Sequence, residues 1–213
     1  TADVTVIIGQ PSSIVASCSN SNPEIFFGYN ADNTATITAS ATGGTGPYTI
    51  SFSMDRAMKC NVTDAAGDET WVGGAGTASN VNNVCPGAGA GAVPVSTSVS
   101  LLAGQTYSVT VQLMANAVIT ATITDANGCI EKCTTPVFAK DVRCYSSVGG
   151  NWKVKVCHRT GNGCNSNCIN ADAVATHLAH GDFLGDCTPG CTAPAPGSKG
   201  ISLPITKAQA QVE

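Results

Sequence analysis

Charge is the scarcest ingredient of this 213-residue sequence: Asp, Glu, Lys and Arg together make up 11%, about half of the usual ~25%. A chain so poor in charge is not held open by self-repulsion, which excludes charge-driven disorder. With a net charge of −4 and its Lys and Arg scattered, it offers no basic stripe, and a nucleic-acid partner is excluded. Aromatics are few as well, at 5%. No stretch reaches the ~18–20 apolar residues of a membrane span, so the chain is not expected to be transmembrane. The opening TADVTVII has no basic region followed by an apolar core, so any signal peptide is expected to have been removed already.

Catalytic signatures are missing too. There is no G-x-S-x-G, no H-E-x-x-H, and GAGAGA (Gly87–Ala92) is not the G-x-x-x-x-G-K of a phosphate loop. Paired C-x2-C knuckles of zinc ribbons are absent. No enzyme activity, catalytic residue or required cofactor is therefore expected.

What the chain does have is cysteine, glycine and β-branched residues: 11 Cys, 23 Gly and 10 Pro. So many cysteines mean zinc or redox work in a reducing cytosol and disulfides in an oxidising space. With C-x3-C spacings in Asn/Gly/Pro-rich loops, the expectation is an exported, disulfide-bonded protein. An odd count leaves one thiol free, bridged to another chain, or paired elsewhere.

DVTVIIG (Asp3–Gly9) is strand-like and stops at Gln10-Pro11. SIVASCSN (Ser13–Asn20) follows, then a turn-rich patch, SNSNPEIFFGYNADN (Ser19–Asn33). Period-2 alternation is clear in TATITASA and YTISFSM, and Ala35–Ala41 with Tyr48–Met54 reads as a β-hairpin across GGTGP. KCNVTD and ETWVGG are shorter candidates, and Asn82–Pro94 is a glycine-rich excursion. PVSTSVSLL, TYSVTVQLM and NAVITATITDANGC restore the alternation, and CTTPVFAKDV ends it. Some seven strands with turns between them, and no amphipathic helix before residue 170, predict an all-β fold, an antiparallel β-sandwich of immunoglobulin type.

After Arg143 cysteines become dense. ADAVATHLAHG (Ala171–Gly181) is the one helical stretch, with Asn170 as N-cap, Asp172 in the first turn and Gly181 as stop. Val174 and Leu178 share a face. The expected organisation is an N-terminal strand or linker over residues 1–11, a sandwich over 12–140, a Cys/His-rich module over 141–191, and a linker with a strand-like tail over 192–213.

Two stretches carry resemblances. GGTGPYTISFS followed by AGQTYSVTVQLMANAVITATITDANGC resembles the immunoglobulin-like repeats of bacterial gliding-motility adhesins and PKD-like surface modules. It covers about residues 34–130 and departs by a longer centre, Lys59–Pro94, that carries Cys60 and Cys85. DVRC…KVKVCH…C…ADAVATHLAHGDFLGDC resembles a short Cys/His module found at the ends of surface proteins of Bacteroidetes-type bacteria. The resemblance implies a cell-surface, extracellular protein and transfers no enzymatic role. Cys164 and Cys191 lie outside that pattern and are candidates for a bridge of their own.

Three chemistries compete for the cluster between Cys157 and Cys187. As disulfides, Cys144, Cys157, Cys168 and Cys187 form two bridges in one of three connectivities, and Cys60–Cys85 closes the glycine-rich insert. As a metal site for Zn²⁺ or Cu²⁺, His177 and His180 lie three apart on the helix, with Asp182 beyond its end and His158 closing the set. The bland account has His177 packing, His180 capping the helix C-terminus, and the HGD turn acting as a corner. As a nucleophile and base, Cys157 and His158 are neighbours on a strand and point to opposite faces, which argues against them.

Asp125 and Asn127 of the DANG turn are Ca²⁺ candidates, though a tight turn explains the motif equally. Asp64, Asp68 and Glu69 form another oxygen-rich loop, and Asn61-Val62-Thr63 is a glycosylation sequon. Trp71 and Trp152 read as core or contact residues. DVTVIIG and ISLPITKAQAQVE are both strand-prone and set off by Pro11 or Pro194–Pro196. An extended tail of that kind adds to a sheet edge, and head-to-tail addition between copies makes a fibre. The expected function is thus the repeating subunit of a cell-surface filament joined by donated strands. One segment of a long adhesin, partnered by adjacent repeats, is the competing reading, and a metal-binding extracellular module is another.

Overall fold

The structure, a computed structural model, describes residues 12–59, 68–73, 83–84, 95–146 and 150–193. Along the chain run β1 (Val15–Asn20), β2 (Glu24–Phe27), β3 (Ala35–Thr42), β4 (Tyr48–Met54), β5 (Thr70–Gly73), β6 (Asn83–Val84) and β7 (Val95–Leu101). Then come β8 (Thr106–Gln112), β9 (Ala115–Thr124), β10 (Ile130–Asp141), β11 (Arg143–Tyr145), β12 (Trp152–Thr160) and β13 (Gly163–Ile169). A 3-10 turn (Ala171–Ala173), helix α1 (Val174–Ala179) and β14 (Phe183–Leu184) follow. The protein is all-β with one short helix, as its alternation predicts.

Two compact units divide the chain. The first is drawn from Thr1–Asn22, Ala35–Gln112 and Ala117–Val137, the second from Pro23–Thr34, Leu113–Asn116 and Phe138–Glu213. A single cut near residue 140 was the expectation; the second unit also recruits two upstream segments. Their bonds explain it. β2 pairs in parallel with Phe138–Asp141, and the buried Asn116 side chain accepts the Ala139 N–H at 2.9 Å.

In the first unit one sheet has the order β1-β3-β8-β5-β6, and β10, β9, β4 and β7 are neighbours in the other. The runs β1-β3-β8-β5 and β4-β9-β10 reproduce the A-B-E-D and C-F-G orders of immunoglobulin-like sandwiches. Ala35, Ile37, Ala39 and Ala41 of β3 are buried, as are Tyr48, Ile50 and Phe52 of β4, Tyr107, Val109 and Val111 of β8, and Ile119, Ala121 and Ile123 of β9. Small alanines face bulky neighbours, and Phe52 and Tyr107 meet with ring centroids 6.0 Å apart. On the other face of the first sheet, Thr38 and Ser108 share a hydroxyl bond of 2.8 Å, and Thr36 and Thr110 one of 3.1 Å.

β3 and β4 are not a hairpin. β3 pairs with β1 and β8, and β4 with β7 and β9, in different sheets. Alternation reports that a strand has one buried face and is silent on its partner. The loop between them needs glycine: Gly43 and Gly44 have φ of +66° and +61°, and a Cβ on Gly43 would strike the Ser13 carbonyl. Two further expectations change. The turn-rich patch contains β2, and CTTPVFAKDV, instead of ending the pattern, belongs to β10, a 12-residue strand.

The second unit centres on β12. β13 runs antiparallel along it, and β11 and β14 pair with its beginning and middle. Val142, Val154, Val156, Val174 and Leu184 form a small core cluster in it, with Phe26, Tyr29, Ile169 and Leu178 packed against it. Val174 and Leu178 thus share the predicted face. Asn170 stands at the N-cap without a side-chain capping bond, and Gly181 has φ of +87° where the helical stretch ends.

Candidate functional site

Three bridges hold the second unit: Cys144–Cys168, Cys157–Cys187 and Cys164–Cys191. The first two choose one connectivity of the expected four-cysteine set, and the third is the separate pair. In the register of β12 and β13, Lys155 lies opposite Cys168, and Cys157 opposite Ser166. Cys144 on β11 reaches β13 across β12, and Cys157 ties β12 to the turn after β14. Cys157 is fully buried and bonded, so it supplies no thiolate, and the nucleophile reading of Cys157-His158 is removed.

Beside that bridge, strand, helix and turn bring together His158, His177 and Asp182. His158 projects from β12, His177 from α1, and Asp182 follows Gly181 in the turn to β14. One carboxylate oxygen, Asp182 Oδ2, pairs with His158 Nδ1 at 2.8 Å and His177 Nδ1 at 2.7 Å. The other, Oδ1, accepts the Arg159 backbone N–H at 2.8 Å. The two rings meet edge to face, 5.3 Å between centroids. The Asp182 side chain is 1% exposed, while His158 and His177 keep 36% and 25% of theirs in solvent.

Burial alone raises the Asp182 pKa, but the His158 hydrogen bond, the Arg159 N–H and the His177 hydrogen bond outweigh it and lower the group to about 2. The carboxylate is therefore ionised at neutral pH and anchors three elements at once. His180 is not part of the cluster. It is exposed at the helix C-cap, where its backbone N–H donates to the His177 carbonyl at 3.1 Å and the next N–H, of Gly181, to the Leu178 carbonyl at 3.1 Å. Three-residue spacing placed the wrong pair together, because the turn at Gly181 carries Asp182 back to His177 and not to His180. Cys157, Cys164 and Cys187 also cluster, but sulfur in a disulfide is not a thiolate ligand.

In the first unit, Asp125 is 6% exposed and its carboxylate is fully engaged. Oδ1 accepts the N–H groups of Asn127 (2.9 Å) and Cys129 (2.8 Å), and Oδ2 that of Thr45 (3.0 Å). The Asn127 amide donates to Thr45 Oγ1 at 2.9 Å. The Thr45 N–H, with those of Cys129 and Asn127, holds this carboxyl below its usual range against partial desolvation. The DANG motif thus works as a turn that ties the loop after β9 to the loop after β3. Of the other acidic loop, Glu69 is buried and spent: Arg56 grips it with bonds of 2.7 and 2.6 Å, and the Lys59 N–H adds one of 2.6 Å. Asp64, the sequon at Asn61, and the Cys60–Cys85 bridge lie outside the described residues.

A bridge not anticipated from sequence, Cys18–Cys133, joins β1 to β10 over a separation of 115 residues. The signal that would have found it is topological, since A and G strands border each other across the open side of such a sandwich. Cys129 is a free, exposed thiol. Trp71 is buried as expected; Trp152 is 49% exposed, edge-on to the exposed Tyr145 and under the Arg143 guanidinium. No protein-family model matches the sequence, and no curated protein matches it.

Proposed function

We propose that this is an extracellular, non-catalytic structural protein, the repeating subunit of a cell-surface filament assembled by strand donation between copies. Four disulfides support an oxidising destination. The observation that carries the assembly reading is a pair of sheet edges in the first unit. Among the described residues, no strand pairs with the outer edge of β1 or with the outer edge of Ile130–Pro136 in β10. The two edges meet where Cys18–Cys133 links them and Asn20 Nδ2 donates to the Pro136 carbonyl at 3.0 Å, so the link fixes both edges and an added strand has only the stretches away from it. Unpaired N–H and C=O groups on a rigid edge are a template for an added strand. The β-branched DVTVIIG and ISLPIT segments, both outside the described residues, have the composition of a donor.

Deleting residues 1–10, or residues 201–213, is the test. At least one deletion is expected to leave folded monomers by light scattering and no filaments by negative-stain microscopy. Assembly unchanged in both would overturn the proposal. The sandwich layout, common among cell-surface domains, favours a second reading: one segment of a long adhesin, flanked by further repeats. The mass of the native protein separates the two, because a subunit runs near 21.4 kDa and an adhesin far above it.

A further inference from the structure

We propose that His158, His177 and Asp182 form a binding site for one transition-metal dication of the Zn²⁺ or Cu²⁺ class, ligated by two imidazole nitrogens and one carboxylate oxygen. This inference is independent of how the chain assembles.

Donor identity comes first. Two nitrogens and one oxygen suit Zn²⁺ and Cu²⁺, whereas Ca²⁺ and Mg²⁺ require oxygen sets. Geometry comes second. The three candidate ligand atoms all lie within 4.8 Å of one another. An ion with bonds of about 2.0–2.1 Å spaces tetrahedral ligands roughly 3.3–3.5 Å apart. The two imidazole–carboxylate separations of 2.8 and 2.7 Å need to open by roughly 0.5–0.8 Å to reach that spacing. The ion then takes the place of the hydrogens now shared between the rings and Asp182.

Preorganisation comes third. His158 is flanked by the buried, bridged Cys157, and on β12 it lies opposite Asn165 of β13. Asp182 is fixed from behind, its Oδ1 on the Arg159 N–H, so Oδ2 is presented to both imidazoles without further ordering. His177 sits in α1, one turn from Val174, which is locked in the core. Three ligands on a strand, a helix and a turn, all tied by one disulfide, lose little entropy on capture of an ion. Access comes last. The imidazoles are partly exposed and the carboxylate is not, so the ion enters from the ring side and its remaining positions fall to water or an added ligand. That is the arrangement of an open site, with three protein ligands.

The same three residues can instead be a plain latch, two ring N–H groups satisfying one buried charge. The experiment separates the two. The oxidised full-length protein, freed of metal by chelation and dialysis, is titrated with Cu²⁺ and followed by electron paramagnetic resonance, and with Zn²⁺ and followed by calorimetry. One ion per chain is expected, with nitrogen hyperfine structure from two imidazoles in the Cu²⁺ spectrum.

His158→Ala and His177→Ala should each weaken binding by more than about tenfold, since even residues that only orient a ligand cost 10–100-fold. His177→Gln keeps an N–H donor for Asp182, so it preserves the latch while removing the imidazole; weakened binding with an unchanged melting temperature is expected. His180→Ala should bind like the parent chain. Absence of saturable binding at ~100 µM ion, or binding that survives both histidine-to-alanine changes, overturns the proposal, as does loss of binding in His180→Ala equal to that in His177→Ala.

Discussion

The two units solve one problem in different ways. The sandwich buries alternate residues of β3, β4, β8 and β9 between two sheets, so tyrosines, phenylalanine, isoleucines and valines supply its cohesion. The second unit has a compact cluster of four valines and a leucine, with Ile25, Phe27 and Leu113 also buried within its bounds, and carries three disulfides where the first shows one among the described residues. A cluster of that kind removes little apolar surface from water to set against the entropy of the cysteine-rich chain around it. Each bridge closes a loop of 24 to 30 residues, worth about 3–4 kcal/mol in the chain-entropy account. The lesson is that covalent and apolar cohesion can substitute for one another, and this molecule weights them differently in its two halves.

Breaking the bridges should break the symmetry of that comparison most strongly. Full reduction of the native protein is expected to abolish amide-exchange protection in β12 and β13 while β4 and β9 stay protected. Equal loss in both units would mean that the sandwich also depends on its sulfur. Next in size, Phe52→Ala empties a fully packed position and should cost about 3–5 kcal/mol, read as a lower denaturant midpoint of the sandwich with the second unit unchanged.

Proton titration sharpens the contrast further. Asp182 has its pKa lowered from 3.8 to about 2, so its stabilising share is complete above the unfolded value and is lost as pH falls through the folded one. In metal-free protein the second unit should weaken between about pH 4 and pH 2, and Asp182→Asn should flatten that dependence in an acid-unfolding series. Gly43→Ala, which forces a Cβ onto the Ser13 carbonyl at positive φ, should lower sandwich stability by about 1–2 kcal/mol. Least of all, Cys129→Ser, at an exposed free thiol, should leave both melting transitions in place.

How legible the molecule was follows from which interactions are local. Alternation in TATITASA, YTISFSM, TYSVTVQ and NAVITATIT is set by each strand's own burial, and those strands stand where the pattern puts them. Partnership is not local, so β3 and β4 look like a hairpin and lie in opposite sheets. β2 hides in an Asn/Pro-rich patch because its pairing with Phe138–Asp141 spans over a hundred residues. Cys18–Cys133 was invisible for the same reason. Within the site, the sequence names His158, His177 and Asp182 together with His180, and helical spacing pairs His177 with His180. Only the turn geometry decided that His158, and not His180, completes the group.

Mapping disulfide-linked peptides from native protein, alkylated before any reduction, tests the central claim most directly. The account predicts linked peptides for Cys144–Cys168, Cys157–Cys187 and Cys164–Cys191 in the second unit and Cys18–Cys133 in the first, with Cys129 alkylated. Alkylated thiols throughout the second unit, in a protein that is nonetheless folded, would contradict it.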